Sequence, residues 1–152
     1  DYRAGKGLFI SILVRAQVKG TGSFSLALGD GEGRQRWRRQ RVPAFGIDAG
    51  GRPFVRCGQD RKVAPRPLPP GSTVLCVAHL AALPGNRISL RLQVHGHSEA
   101  PISTAGPDWA LVDSGIALIK NLAEITLSVD GDITFHLDEL KVGRTRSAVT
   151  QS

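Results

Sequence analysis

The sequence predicts an all-β fold in which two antiparallel sheets pack face to face as a sandwich. Apolar side chains recur at every second position of Leu8–Val18, Ser23–Gly29 and Arg87–His95, whereas helical spacing is almost absent. Because successive side chains of a strand point to opposite faces, each segment would bury one face and expose the other. Eighteen glycines and nine prolines supply turns. Many short strands joined by turns favour two packed sheets.

The first strands follow from this alternation. Leu8–Val18 and Ser23–Gly29 both place apolar side chains at their even-numbered positions. Asp30-Gly31 is a strong hairpin pattern, because both residues tolerate positive φ, so the basic segment Arg34–Arg41 is expected to return as a partner strand. Two short strands are predicted around a Gly50-Gly51 turn: Phe45–Asp48 and Pro53–Cys57.

The second half of the chain continues in the same way. Thr73–Ala81 is strongly apolar and is predicted to be a central strand, from which Arg87–His95 returns after a turn at Leu83–Asn86. Gly96–Asp108 is expected to be irregular. The remaining predicted strands are Gly115–Lys120, Glu124–Val129 and Ile133–Val142, the last two joined by an Asp130-Gly131 hairpin turn. No helix is predicted, and the tail after Val149 is expected to be disordered.

Length and composition bear on the number of domains, on membrane insertion and on the charge of partners. At 152 residues and 41% hydrophobic, the chain predicts one domain over residues 1–152, with its core between about residues 8 and 149. No apolar run reaches the roughly 18 residues of a membrane span, so no membrane insertion is predicted. The formal charge of +7 favours anionic partners. The chain begins at Asp1 and contains no methionine, so we expect a processed protein or an excised domain.

The two cysteines leave two alternatives open. Cys57 and Cys76 lie near the ends of Arg52–Gly58 and Thr73–Leu80, which are expected to be neighbouring strands. They could form a cross-strand disulfide, or they could be buried thiols that act as small apolar side chains, which is the favoured interpretation. Two cysteines alone do not make a structural zinc site.

A family resemblance narrows the fold. Ile133–Thr145 contains Asp-Glu-Leu-Lys-Val-Gly-Arg-Thr. This resembles the closing motif Asp-Glu-(Leu/Ile)-Arg-(Ile/Val)-Gly-Thr-Thr of bacterial laminin-G-like modules of the concanavalin A-like jelly-roll superfamily. Lys141 stands at the basic position, and Arg144 replaces the first Thr. Three further segments resemble family strands in the same order: Phe9–Arg15, Ser25–Gly31 and Arg87–Val94, the last without the family's Asn-Pro.

The resemblance implies both a fold and a class of function. Such modules are concanavalin A-like jelly rolls of two sheets with a curved concave face. They are generally non-catalytic and bind carbohydrate or extracellular protein partners. Many belong to exported, envelope-associated bacterial proteins. The resemblance therefore implies an extracellular, periplasmic or cell-surface location, with any tether in a missing N-terminal region.

The densest charged feature is Arg34–Arg41, where five arginines surround one tryptophan. Guanidinium groups bind sulfate, phosphate and carboxylate bidentately, and tryptophan stacks on sugars or bases. The candidate ligand-binding residues here are Arg34, Arg36, Trp37, Arg38 and Arg39. The alternative is a solvated edge strand whose charges oppose aggregation, with Trp37 in the core.

A second candidate surface lies on the polar face of Arg87–His95, where Arg91 and Gln93 are the proposed ligand-binding residues. On a concave sheet this face would suit sugar hydroxyls, and otherwise it is an outward face that stays hydrated. His95 and His97 could share a metal ion, although only Glu99 lies nearby as a third ligand.

Acidic residues raise the questions of calcium and of catalysis. No cofactor is predicted, but calcium stays open as an alternative at two hairpin tips that carry Asp30 with Glu32 and Asp130 with Asp132. Turn chemistry accounts for these acids without a metal. Asp138 and Glu139 are adjacent, so strand alternation would point them to opposite faces, unlike the paired carboxylates of a glycosidase. They are expected to be structural, and the chain is predicted not to be an enzyme.

Together, these features predict a non-catalytic binding or interaction module of an exported or envelope-associated bacterial protein. The expected partner is a carbohydrate or another anionic surface ligand, with a protein partner as a further option. The first alternative is a purely structural accessory domain of a larger protein. A further alternative, not favoured, is nucleic-acid binding through the arginine-rich strand.

Overall fold

The computed structural model describes residues 7–16, 22–29, 43–57, 61–64, 67–68, 71, 73–83, 87–96, 111–116, 124–131 and 135–150. These ranges contain ten strands and one short helix. The elements are β1 Gly7–Ala16, β2 Ser23–Gly29, β3 Ala44–Ile47, β4 Pro53–Arg56, β5 Arg61–Val63, β6 Thr73–Leu83, β7 Arg87–Gly96, β8 Leu111–Ile116, β9 Glu124–Asp130, β10 Phe135–Gly143 and α1 Arg146–Thr150.

The strands form two antiparallel sheets. Within the described ranges, sheet A has the order β10-β1-β6-β7-β8 and sheet B the order β5-β4-β3-β2-β9. Strand β4 of sheet B lies against β7 and β8 of sheet A, and β5 of sheet B lies against β8. The predicted all-β sandwich of two antiparallel sheets is therefore confirmed, and β6 occupies the predicted central position.

The core forms between the inner faces of the two sheets, and the alternation of the sequence decides which side chains enter it. The buried inner residues of β1, β2, β6 and β7 are Leu8, Ile10, Ile12, Val14, Phe24, Leu26, Leu28, Val74, Cys76, Ala78, Leu80, Leu90 and Leu92. Full burial of one large aliphatic or aromatic side chain stabilises the fold by about 1.5–3 kcal/mol. For the residues whose burial is described, the predicted core faces of the three alternating segments are therefore confirmed.

One predicted hairpin is wrong, and another involves residues that the structure does not describe. Strand β2 pairs with β3 on one side and with β9 on the other. The Asp30-Gly31 turn and the segment Arg34–Arg41 lie outside the described residues. Strands β9 and β10 follow each other in sequence but belong to different sheets, so Asp130-Gly131 does not close a hairpin. Instead, Gly131 adopts a φ of 84°, and the chain passes there from sheet B to sheet A.

The short turn between β3 and β4 is confirmed. The Asp48 side chain accepts hydrogen bonds at 2.9 Å from the backbone N–H groups of Gly50 and Arg52. Gly51 adopts a φ of 77°, a conformation that glycine reaches without a Cβ clash. The two short strands therefore pair over Ala44–Ile47 and Pro53–Arg56.

The cysteines do not lie on neighbouring strands. Cys57 directly follows β4 of sheet B, whereas Cys76 lies in β6 of sheet A, so the expected adjacency is wrong. Both are buried thiols that form no disulfide, as the favoured interpretation predicted. Both pack in the apolar core, and burial raises the pKa of Cys76 to about 12.

The C-terminal segment is helical, contrary to expectation. Helix α1 packs on the outer face of sheet A, where Val149 is buried and its carbonyl accepts a hydrogen bond from the buried Ser11 hydroxyl. Gly143 permits this approach, because a Cβ there would lie 2.9 Å from the Cβ of Ala148. No helix of the described ranges is long and apolar enough to cross a membrane.

One edge of the sandwich leaves apolar side chains accessible. Strands β9 and β10 end the two sheets. Leu127 and Val129 pair in register with the buried Leu26 and Phe24, which places them on the inner face of sheet B. They are nevertheless 48% and 52% exposed. Leu140 and Val142 of β10 are each 50% exposed.

Gly46 provides a test of the packing of sheet B. A Cβ at Gly46 would clash with the Phe24 carbonyl oxygen and lie 2.8 Å from the Ser25 Cα, both of them backbone atoms. We expect Gly46→Ala to lower the free energy of unfolding by about 3 kcal/mol or more, since backbone must move. Gly50→Ala is the matched control, because its nearest neighbour is Asp48 Oδ1 at 3.4 Å. Urea denaturation measures both, and equal losses would contradict the β2–β3 register.

Candidate functional site

The outer face of sheet A carries a row of three functional side chains. Ile10, Ala78 and Leu92 point into the core, so the residues beside them in β1, β6 and β7 point outward. The ladder aligns Phe9 with His79 and His79 with Arg91. Residues opposite each other in antiparallel strands share a face with Cβ atoms about 5 Å apart. We refer to Phe9, His79 and Arg91 as the outer row.

Two rings of the outer row are stacked. The ring centroids of Phe9 and His79 are 4.2 Å apart, and the ring planes differ by 7°. Gly7 leaves the space that His79 occupies, because a Cβ there would clash with Nε2 and lie 2.7 Å from Cδ2 of that ring. The sequence of β1 thus provides an aromatic surface at Phe9 and room for its partner at Gly7.

Arg91 gives the outer row a positive charge. Its side chain is exposed, whereas His79 is partly buried. Burial lowers the pKa of His79, and the neighbouring Arg91 guanidinium lowers that pKa further. The imidazole is therefore neutral at pH 7, which suits its stacking against Phe9, and Arg91 carries the positive charge of the row.

Gln93 adds a hydrogen-bonding group next to the outer row. It lies opposite Val77, which is only 3% exposed. The Gln93 Oε1 atom is itself buried and accepts no hydrogen bond from the described part of the chain. A buried amide oxygen without a donor costs free energy, so it favours a ligand that brings a hydroxyl or an N–H group.

The arrangement combines three kinds of contact on one surface. The Phe9–His79 stack offers apolar ring surface, the Arg91 guanidinium is a donor suited to anionic groups, and Gln93 Oε1 is an acceptor without a donor among the described residues. Ser89 and His95 flank them on the same strand, opposite Ala81 and Leu75. Such a set suits a ligand with C–H surfaces, hydroxyl groups and negative charge.

The structure describes two of the predicted ligand-binding residues. Arg91 and Gln93 lie on the outer face of sheet A, on the polar side of β7 as predicted. The other candidates lie outside the described residues: Arg34, Arg36, Trp37, Arg38 and Arg39. The candidate site is therefore built on the outer row and Gln93.

Phe9 and His79 were missed by sequence reasoning. Phe9 occupies an outward position in an alternating strand, and His79 is the one basic residue in the apolar segment Thr73–Ala81. That isolated histidine was the available indication of a special environment. Its stacking on Phe9 depends on the pairing of β1 with β6, which are separated by more than fifty residues.

The acidic pair of β10 occupies a β-bulge. Asp138 pairs with Leu13 and Lys141 pairs with Ser11, so two residues of β10 lie opposite Ile12. Glu139 adopts a φ of 51°, and Asp138 Oδ1 accepts a hydrogen bond of 2.8 Å from the Glu139 N–H. The bulge breaks the alternation, so Lys141, three residues after Asp138, pairs with Ser11 and shares the outward face of Asp138.

Most of the candidate metal ligands lie outside the described residues. The described residues contain no group of three or more histidine, cysteine, aspartate or glutamate side chains that could hold a metal ion. Asp130 is exposed at the end of β9. Asp30, Glu32, Asp132, His97 and Glu99 lie outside the described ranges.

Comparisons with known proteins identify no relative: no protein-family model matches the chain, and no curated protein matches it. Its function is therefore inferred from the sequence motifs and from the geometry of the outer face.

His79 makes the stability of the fold depend on pH. Its pKa is lowered from 6.5, so the unfolded chain binds more protons just below that pH and stability falls with falling pH. His79→Phe keeps a ring against Phe9 but removes this titration. We expect the variant to lose less unfolding free energy than the wild type between about pH 7.5 and about pH 5 in urea titrations. Identical losses in the two proteins would contradict the partly buried, neutral His79.

Proposed function

We propose that this chain is a non-catalytic binding module whose ligand is an anionic glycan, a polysaccharide that carries carboxylate or sulfate groups. The observation that supports it best is the outer row, where the Phe9–His79 stack lies directly beside the exposed guanidinium of Arg91. Sugars present C–H surfaces to aromatic rings, and acidic sugars add a group that arginine binds bidentately.

Gln93 supports a glycan over a simple anion. Its buried Oε1 atom is an acceptor, and among the described residues it has no donor. A sulfate or phosphate ion brings acceptor oxygens and cannot satisfy an amide oxygen. A sugar brings hydroxyl donors, so one ligand can engage the acceptor of Gln93 and the positive charge of Arg91 together.

The proposed fold family is the bacterial laminin-G-like branch of the concanavalin A-like jelly rolls. The two antiparallel sheets are consistent with it. The closing motif Asp138–Thr145 supports this family through its resemblance to the family's last strand. The motif spans the end of β10 and the turn before α1. The same resemblance supports a periplasmic or cell-surface location in an exported bacterial protein.

The non-catalytic part of the proposal is supported by the geometry of the acidic pair. Asp138 is engaged by the backbone N–H of Glu139, and Glu139 Oε2 lies 3.9 Å from Lys141 Nζ. Both carboxylates therefore take part in a bulge at the sheet edge. A glycosidase needs two carboxylates facing each other across a bound sugar.

A glycan array followed by titration of the best ligand tests the proposal. We expect saturable binding to uronic or sulfated oligosaccharides, weakened about tenfold or more by Arg91→Ala, because a hydrogen bond to a charged group contributes about 1.5–3 kcal/mol. Gly7→Ala should weaken binding as well, since its Cβ would displace His79 from Phe9. Circular dichroism checks that both variants stay folded.

Arg15→Ala is the matched control. Arg15 is exposed on the same face of sheet A and pairs with Thr73, six residues and about 20 Å along β6 from His79. The control removes the same charge and should leave affinity unchanged. Equal weakening by Arg15→Ala and Arg91→Ala would contradict the proposed site. So would equal binding of heparin, DNA and dextran sulfate that moderate salt abolishes, because that pattern indicates bare charge.

A further inference from the structure

The outer row contains one ring that titrates near neutral pH, the imidazole of His79. This side chain lies between Phe9 of β1 and Arg91 of β7, both of which pair with it directly. The ring is stacked on Phe9 with the centroids 4.2 Å apart, and both of these side chains are partly exposed. A ligand group that contacts the guanidinium of Arg91 on this face therefore lies next to the imidazole as well.

The packing of His79 turns one ring nitrogen away from the backbone of β1. The ring atoms nearest to a Cβ built on Gly7 are Nε2 and Cδ2. Nδ1 is the ring atom opposite the Nε2–Cδ2 bond, so it lies on the far side of the ring from Gly7. A neutral imidazole donates from only one of its nitrogens, whereas an imidazolium donates from both. Protonation therefore gives Nδ1 an N–H group in every case and adds a positive charge beside Arg91.

The register shows which charges lie next to His79 on its own strand and towards β7 and β8. Arg91 lies directly opposite. Strand β6 contains no aspartate, glutamate, lysine or arginine. The other charged or titratable residues of β7 and β8 pair with different positions, and they are Arg87, His95 and Asp113. On this side, the residue that faces His79 is a cation.

Towards β1 and β10 the neighbouring charges are also cationic. The one charged residue of β1 is Arg15, six residues along the strand from Phe9. Phe9 pairs with Gly143 of β10. The charged or titratable residues of β10, of the turn after it and of α1 are His136, Asp138, Glu139, Lys141, Arg144 and Arg146. Of these, the two nearest in sequence to Gly143 are Lys141 and Arg144.

This arrangement keeps His79 neutral while no ligand is bound. Burial lowers the pKa of His79, and the charge of Arg91 lowers that pKa further. An anionic group bound to Arg91 offsets the charge of the guanidinium and accepts a hydrogen bond from the imidazolium. Both effects favour the charged form of the ring, so the ligand raises the pKa of His79.

We propose that His79 is a second anion-binding group of the outer row, which becomes cationic in mildly acidic solution and then tightens the binding of the acidic groups of the glycan. The inference rests on the proposed function, because the glycan supplies the anion. A ligand that favours proton uptake is itself bound more tightly when the proton is present, since the coupling between two binding events is reciprocal. The stack is compatible with both states, because an imidazolium over the Phe9 ring makes a cation–π contact.

The affinity for the ligand should therefore rise as the pH falls. The ligand raises the pKa of His79, so the protein takes up a proton on binding over the pH range between the free and the bound pKa. The gain in affinity is absent above the bound pKa, develops through this range and is complete below the free pKa. The free pKa is lowered from 6.5, which places the change on the acidic side of neutrality.

NMR titration with N-acetylglucosamine 6-sulfate tests this inference, because its sulfate ester stays ionised at every pH used. Titrations are made from about pH 8 to about pH 5, where histidine changes its charge. The ring C–H signals of His79, identified by their absence in His79→Phe, report its pKa, and the backbone signals of β6 and β7 report the affinity. We expect the ligand to raise the pKa by about one unit and the affinity to rise about tenfold towards the acidic limit.

His79→Phe keeps a ring against Phe9 but cannot take up a proton. Its affinity should not change with pH, whatever its level at neutral pH. His136→Phe is the matched control, because His136 is exposed and pairs with Arg15, six residues along β1 from Phe9. The control should keep the pH dependence of the wild type. Equal loss of that dependence in the two variants would overturn the inference, and so would a wild-type affinity that is constant over the pH range.

The outcomes separate this inference from the proposed function. Binding that Arg91→Ala weakens, but that does not vary with pH, would leave the glycan site intact and overturn the role of His79. Binding that varies with pH through His79 but is unaffected by Arg91→Ala would support the titrating group and contradict the proposed site. Absence of ligand-induced shifts at every pH would overturn both.

Discussion

Burial of alternate side chains between two sheets is the constraint on which the other features of this protein depend. Because Ile10, Ala78 and Leu92 are locked into the core, their neighbours in β1, β6 and β7 must point outward, and the ladder then sets which of them meet. A slip of one residue would move each apolar set into water and reverse every outward position. Such a slip would forfeit about 1.5–3 kcal/mol for each large side chain exposed. The hydrophobic core therefore holds the polar surface in register.

The same constraint arranges positive charge on both outer faces. On sheet A, Arg91 lies beside a stacked Phe9–His79 pair, and on sheet B, Arg56 lies opposite Arg61 next to Phe54. In both places an arginine occurs close to an aromatic ring, and on sheet A this combination supports the proposed acidic-sugar ligand. The net charge of +7 would attract such ligands from a distance, while the local geometry would select among them.

The local part of this fold was predictable, and the long-range part was not. Alternation is a property of neighbouring residues, so β2 and the core faces of β1 and β7 were predicted correctly. Pairing is set by residues far apart: β2 lies between β3 and β9, which the hairpin pattern at Asp30-Gly31 did not indicate. The β-bulge at Glu139 departs from alternation because one extra residue is accommodated, and helix α1 is only five residues long. Arg91 and Gln93 were found from their strand alone, whereas the Phe9–His79 stack exists only through the pairing of two distant strands.

The cross-strand register of sheet A is the central claim, and NMR measures it most directly. Opposed residues of antiparallel strands bring backbone and ring protons close enough for nuclear Overhauser effects. The structure predicts such effects between the rings of Phe9 and His79, together with backbone contacts that align Phe9, His79 and Arg91. Contacts that instead pair His79 with Leu8 or Ile10 would show a register displaced by one residue. In that register Phe9 would not lie opposite His79, so the result would contradict the account.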